Sequence, residues 1–465
     1  MRAIVVILPS AVLWGMSFPL ALAAAGSDGA DTGRSSAYVY AANTIGAIVG
    51  ALAYSFWIIP SYGSSWAEKL LAIFAGISAA TVMVGVAKAQ RRTTKAADAP
   101  LLHPAWALGI GVLGAALMPS FPPIFLAHGR YIWWVDPKDR FPYVSEGAAS
   151  TVAVHVAPDG YRNFHVSGRV EATNNPSDLR TERLIGHLSG LPHRHPESVL
   201  VVGMGGGISA GALSLYPEVK RIVICEIEPR VVGATRLFGD ENYHVLDNPK
   251  VEVVFDDARH FLATTREKFD VITSDPIHPW VRGNSILFSK EYYNIVRERL
   301  KPGGLATQWV PLYETSELAI KIQMRTFMSA FPNGVVFNTN VSGKGYDVVL
   351  VGGEQPLSID LDDMDRRISS NPVLYQSLAQ VKIHNAVELM AVYGTAGSDM
   401  QKWLAGVPVN RDFSLKLEYI SGLALNAGEA DPIYAHMVEG HTFPKVVGNP
   451  AHVADLRRRL MGAGR

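Results

Sequence analysis

Polar positions are unevenly spread along this chain, and that unevenness organises it. From residue 1 to 87 the charged side chains are Arg2, Asp28, Asp31, Arg34, Glu68 and Lys69. Between them lie the apolar runs Ala3–Ala25, Ala37–Pro60 and Leu70–Ala87. Each approaches or exceeds the roughly 18–20 residues that a helix needs to cross a hydrocarbon core. A fourth run, Leu101–Ala127, also lacks Asp, Glu, Lys and Arg but contains Pro119, Pro122 and Pro123. Its second half is therefore expected to break or to lie at the interface. Gly46, Gly50 and Ala53 share one helical face, a stripe suited to close packing. A cleaved signal peptide would explain the first run but not the other three. The pattern predicts an α-helical transmembrane region over residues 1–130 with three or four spans. Tyr131, Trp133 and Trp134 would mark the exit from the bilayer.

After about residue 140 the pattern becomes that of an α/β domain. Ser150–Ala157 and Tyr161–Val166 flank Pro158-Asp159-Gly160, which predicts a β-hairpin within a small β-rich subdomain over 140–197. From Ser198 the strands Val199–Val202, Arg221–Cys225, Val251–Phe255, Val271–Thr273 and Leu305–Val310 alternate with helical stretches. That alternation predicts a mainly parallel, doubly wound, Rossmann-like sheet over 198–356. Residues 357–465 read as a helical extension, with Asp360–Ile368 amphipathic.

Composition narrows the function. The 465 residues suffice for several domains. Charged residues make up 18%, below the ~25% usual for soluble domains. The 42 basic side chains are balanced by 42 acidic ones, so the chain has no basic surplus for general nucleic-acid binding. A single cysteine, Cys225, excludes an internal disulfide framework and a zinc site built on several thiolates. Inside a strand it reads as a core residue.

The strand Val199–Val202 runs directly into Gly203-Met204-Gly205-Gly206-Gly207 and then a helix-compatible stretch from Ile208. Glycines allow a tight turn and close approach of a ligand to backbone. Glu226, ending the next strand, is positioned to accept hydrogen bonds from both ribose hydroxyls. Asp256-Asp257-Ala258 places paired acids at the end of a third strand, where one suits an adenine amino group. A third-strand acid is more typical of adenosylmethionine binders, with their class I methyltransferase-like sheet, than of nicotinamide dehydrogenases. The next strand, Phe269–Ser274, delivers Asp275 to the same edge.

Asp275-Pro276-Ile277-His278-Pro279-Trp280, then Leu287–Tyr293, then Leu300-Lys301-Pro302-Gly303-Gly304 complete a pattern that resembles the spermidine synthase (polyamine aminopropyltransferase) family. The resemblance covers roughly residues 165–350. It is strongest to the membrane branch fused to transporter-like helices, which adds the Tyr40–Ala47 segment. The resemblance implies that Gly203, Gly205 and Gly207 form the cofactor loop, Glu226 binds ribose, and Asp257 and Ala258 contact adenine. It also implies that Asp275 deprotonates the attacking amine and that Gln308 contacts substrate. Ser167–Thr173 looks like the family's G-x-V-Q-x-T segment, with Glu171 replacing glutamine.

Three departures accompany these matches. Gly206, His278 and Val310 stand where the synthases carry carboxylates facing the ammonium groups of donor and acceptor. Glu171, Asp178 and Glu182 are candidates to restore that charge on the substrate side. The implied co-substrate is decarboxylated S-adenosylmethionine or S-adenosylmethionine itself, with a small-molecule amine as acceptor. No metal is implied, because the histidines lack ligand-like spacing; His193 and His195 read as a solvated loop pair. The alternatives are methyl transfer or lyase cleavage on the same fold, or a membrane transporter or sensor that binds without turnover. Soluble synthases are generally dimers or tetramers, which implies a homo-oligomer. The basic connection Lys88, Arg91, Arg92, Lys95 favours the cytoplasm for itself. A donor made in the cytosol instead favours the cytoplasmic face of the inner (cell) membrane for the catalytic domain.

Overall fold

A computed structural model describes residues 2–25, 32–93, 103–129, 136, 138–275, 277–340, 344–414, 416–424 and 427–462. The chain divides into two units. One is Met1–Phe121 with Glu146–Ala148, and the other is Pro122–Ser145 with Ala149–Arg465.

The first unit is helical. It contains α1 (Arg2–Ala25), α2 (Thr32–Ala53), α3 (Ile59–Tyr62), α4 (Ser64–Thr93) and α5 (Pro104–Leu117). A π-helical turn, Tyr54–Ile58, makes α2 and α3 continuous. Two stretches, Gly33–Tyr62 and Ser64–Gly85, are long and apolar enough to cross a membrane. The fourth apolar run does not form one helix. The helix α5 has 14 residues and reaches about 21 Å, short of a ~30 Å hydrocarbon core. Met118 leaves the helical region, and the prolines that follow withhold backbone donors. The last of these, Pro123, begins α6 (Pro123–His128), which belongs to the second unit.

The small-residue packing also falls elsewhere than expected. A Cβ built on Gly46 or Gly50 meets nothing within 4 Å, whereas one on Gly111 would lie 2.8 Å from the Ala72 carbonyl oxygen. Close backbone approach thus joins α4 and α5. Lys88, Arg91 and Arg92 lie within α4 rather than in a loop. Lys95, Tyr131, Trp133 and Trp134 lie outside the described residues.

In the second unit a four-stranded sheet runs in chain order: β1 (Arg140–Glu146), β2 (Thr151–Val156), β3 (Arg162–Val166) and β4 (Arg169–Thr173). The predicted turn closes β2 onto β3, with Gly160 at φ +91°. A second tight turn, at Ser167 and Gly168, closes β3 onto β4, and both residues have positive φ. Helix α7 (Pro176–Gly190) follows, capped by the Asn175 side chain accepting from the Ser177 and Asp178 amides.

The large sheet contains β5 (Ser198–Val202), β6 (Arg221–Glu226), β7 (Val251–Phe255), β8 (Phe269–Ser274), β9 (Leu300–Pro311), β10 (Val335–Asn338), β11 (Asp347–Gly353) and β13 (Tyr393–Ala396). A separate pair joins β12 (Ile359–Asp360) to β14 (Val446–Val447). The large sheet's order is β13-β10-β11-β9-β8-β5-β6-β7. From β9 to β7 all pairings are parallel. The flank of β11, β10 and β13 is antiparallel. The sheet is therefore mixed rather than mainly parallel. A hairpin at β10–β11 turns the chain back on itself, which needs no crossover helix. The C-terminal extension is likewise not only helical, because it supplies the edge strand β13.

Alternation along the strands divides the core. Val199, Val201, Ile222 and Ile224 face one side, with Leu184 and Leu188 of α7 and Phe164 of the small sheet. Leu200, Val202, Val223 and Cys225 face the other. Burial pushes the Cys225 thiol up to about 12, as suits a packing residue. The chain winds outward in both directions from β5, so a crevice opens at the strands' carboxyl ends beside β5 and β8.

Candidate active site

The glycine loop after β5 leads into α8 (Ile208–Ser214). Gly203, Gly205 and Gly207 all adopt positive φ, which L-residues rarely tolerate. At Gly205 space forbids a side chain as well: a Cβ would stand 2.2 Å from Asp275 Oδ2. Gly206 is different. Its φ is ordinary, and the nearest atoms to a Cβ there are Ile208 Cδ1 at 3.5 Å, Ile208 Cγ1 at 3.6 Å and Glu182 Oε2 at 3.7 Å.

Glu226 ends β6 with a buried carboxylate. Oε2 accepts from the Met204 amide at 2.9 Å and Oε1 from the Glu228 amide at 2.8 Å. Burial raises its pKa. The acid predicted to take a ribose therefore also fastens the glycine loop to β6. Asp257 caps the helix Ala258–Thr264, accepting from the His260 amide at 2.8 Å. Ala258 is the first residue of that helix and is buried.

Asp275 follows β8 directly, and its amide donates to the Val202 carbonyl at 2.9 Å. Its side chain is buried, and Oδ1 has no hydrogen-bond partner among the described residues. Burial pushes the carboxyl up to about 8, against the pull of the Ser209 hydroxyl and with the push of Glu226 and Glu171.

Beside it lies a cavity of about 440 Å³ whose walls include Glu171, Asp178, Glu182, His278, Trp309, Tyr313, Tyr346 and Asp347. Glu182 is 2% exposed. Both its carboxylate oxygens lack hydrogen-bond partners among the described residues. Burial, then Asp275 and Asp178, hold it well above the usual carboxylate range. Asp178 is also raised by burial, although Thr173 Oγ1 and Asn175 Nδ2 donate to it at 2.8 and 3.1 Å. Burial and Asp178 push Asp347 up to about 8. These groups are poorly solvated acids that an entering cation would return to the charged form. Tyr313 and Tyr346 stack at 4.5 Å and, with Trp309, supply aromatic faces for methylenes and ammonium groups.

His278 replaces one missing carboxylate and brings another with it. Its Nδ1 donates to Glu171 Oε2 at 2.6 Å, and its Nε2 accepts from the Tyr313 hydroxyl at 3.2 Å. Gln308 is not among the cavity's lining residues. Its amide donates to the Trp309 carbonyl at 3.2 Å, and strand alternation turns Trp309 rather than Gln308 towards the cavity.

Sequence reading missed Asp347, Tyr346, Trp309 and Tyr313. The last two were accessible in principle, because odd positions from Trp309 onward continue one face. Asp347 had no local signal, since it depends on β11 folding back against β9, where Asp347 pairs with Pro311. The histidines depart further from expectation. His193 and His195 form a loop pair, with the His195 amide donating to His193 Nδ1. By contrast, His128, His155 and His165 converge as a buried trio, which their spacing in sequence did not suggest.

The chain is similar to known proteins. A polyamine aminopropyltransferase of Leptospira biflexa is 34% identical over 151 residues, 32% of this chain and 52% of that protein. One from Mycobacterium tuberculosis is 29% identical over 284 residues, 59% of this chain and 51% of that protein. The crystal structure of spermidine synthase from Thermotoga maritima aligns with a TM-score of 0.46 and 20% identity, covering 57% of this chain and 87% of that one. The chain spans about half the length of these curated relatives. Residues 179–339, which carry the glycine loop, Glu226, Asp257 and Asp275, match the family model of the spermine/spermidine synthase domain.

Proposed function

We propose that this chain is a membrane-attached aminopropyltransferase. It moves the aminopropyl group of decarboxylated S-adenosylmethionine to an amine of a polyamine-like acceptor. The observation that carries this reading is Asp275, set between the glycine loop and a cavity walled by Glu171, Asp178, Glu182 and Asp347. The glycine loop, Glu226 and Asp257 hold the adenosine. The acceptor lies in the cavity with its methylenes against Trp309 and Tyr313 and its ammonium groups against the acids. Asp275 takes a proton from the attacking nitrogen. That nitrogen forms a bond to the carbon beside the sulfonium, the carbon–sulfur bond breaks, and its electron pair leaves with neutral methylthioadenosine. The sulfonium is already an activated leaving group, so alignment and deprotonation are the protein's main tasks.

The acids missing at Gly206 and Val310 favour a second reading: methyl transfer or cleavage of undecarboxylated S-adenosylmethionine. Glu182 bears on the choice. Its Oε2 borders the space that a side chain at position 206 would enter. It is thus placed to meet the donor's ammonium in lieu of a loop acid, while Asp347 brings a carboxylate to the acceptor side. Glu182 thus supports the decarboxylated donor, and Asp347 a cationic acceptor.

The products decide. Methylthioadenosine together with a lengthened amine, detected by mass spectrometry, supports aminopropyl transfer. S-adenosylhomocysteine would establish methyl transfer, and methylthioadenosine from undecarboxylated donor without amine would establish cleavage. No product from either donor would leave a binding role. The proposal places the domain on the cytoplasmic face of the cell membrane in a homo-oligomer. Protease digestion of oriented vesicles and mass photometry of the detergent-purified chain test those two points.

A further inference from the structure

The proposed reaction leaves unused the histidine trio on the wall of the same cavity. His128 ends α6, His155 lies on β2 and His165 on β3. His165 pairs with Ala153 across the hairpin, so it shares a face with His155 one diagonal away. One ring nitrogen from each of the three lies within 4.8 Å of the others. All three are buried, His165 at 1% exposure. His128 Nε2 has no hydrogen-bond partner among the described residues, and the group facing the His165 ring is the Ala127 backbone carbonyl. A buried carboxylate is at hand: Asp139 Oδ1 is 3.1 Å from His155 Nε2.

Ordinary packing accounts poorly for this group. A buried imidazole keeps both nitrogens occupied when it can, because an unpartnered buried polar atom is costly. Here three imidazoles pack edge-on against one another, with Phe141 stacked on His155 and edge-on to His128, and ring packing of this kind does not satisfy their nitrogens.

We propose that His128, His155 and His165 bind a divalent transition-metal ion of the zinc class, with Asp139 as the carboxylate partner. Imidazole nitrogens select zinc-like ions over calcium or magnesium, which take oxygen. A tetrahedral zinc with nitrogen at about 2.0–2.1 Å sets its ligand atoms about 3.3 Å apart. A neutral imidazole offers a metal the lone pair of one ring nitrogen, so each histidine supplies one ligand atom. The ion would tie α6 to the β2–β3 hairpin and set a positive charge on a wall of an otherwise acidic cavity. The inference rests on these four residues and is independent of the reaction assigned above.

Elemental analysis of the full-length, detergent-purified chain tests it. The protein is incubated with one equivalent of zinc and passed through gel filtration. The wild type is expected to retain about one zinc per chain. His165→Gln and His128→Gln are expected to retain less than a tenth of that, and Asp139→Asn to bind 10- to 100-fold more weakly. A His193→Gln/His195→Gln control should match wild type. Retention below a tenth of an equivalent by the wild type would overturn the site, as would wild-type retention by His165→Gln. Should the histidine variants misfold, cobalt substitution of the wild type decides instead. Intense visible absorption of a low-coordinate, nitrogen-ligated cobalt supports the site, and its absence refutes it.

Discussion

At the scale of single residues, the proposed chemistry rests on carboxyl groups withheld from water. Asp275 must be ionised to accept a proton, yet burial holds its pKa at about 8. The kcat/KM of aminopropyl transfer is therefore expected to climb with pH, with a limb near 8; a profile flat from pH 6 to 9 would deny Asp275 that role. Asp275→Asn should lower kcat/KM by about 100- to 10,000-fold while calorimetry still detects methylthioadenosine binding. Asp347 adds a stability consequence. Its carboxyl sits near 3.8 ordinarily and at about 8 in the fold, so the folded chain holds this proton more tightly than the unfolded one. The sign follows from linkage: the contribution is full below about pH 4 and drains as pH rises through 8. The melting temperature should fall over that window, and less steeply in Asp347→Asn. The residue types at Asp275 and Glu226 were legible because each ends a strand beside a glycine turn. Asp347 was not, because its role depends on which strand lies alongside.

At the scale of elements, the glycine loop illustrates why three glycines are required and the fourth is not. Gly205→Ala combines a positive φ with a Cβ 2.2 Å from Asp275 Oδ2. Strain of this kind costs on the order of 1–3 kcal/mol. The variant should lose at least tenfold in nucleoside affinity by calorimetry and melt at a lower temperature. Gly206→Ala has an ordinary φ and contacts no closer than 3.5 Å, so near-wild-type binding is expected. Equal behaviour of the two variants would contradict this geometry. The strands β5 to β9 lay where their apolar runs fell. The antiparallel flank did not show itself, because β10 and β11 pair through a hairpin whose partner choice no local pattern encodes.

For the whole molecule, the predictions concern the helical unit. If α2 and α4 cross the bilayer, the chain should stay with membranes through carbonate extraction; release into the supernatant would remove membrane attachment. Within that unit Gly111 meets the α4 backbone while Gly46 meets nothing. Gly111→Val should reduce the yield of folded protein from membranes several-fold, and Gly46→Val should not. Equal yields would show that the α4–α5 contact is dispensable.

Periodicity and glycine placement in the chain alone marked out the apolar helices, the parallel strands, the glycine loop and the strand-end position of Asp275, because those signals are local. A helix or a strand-end turn is dictated by residues within a few positions of one another. Tertiary structure alone decided that Gln308 lies off the cavity, that Asp347 and Tyr346 line it, and that three widely spaced histidines meet. Such neighbours are set by strand order and side-chain direction, which emerge only when distant segments share one core.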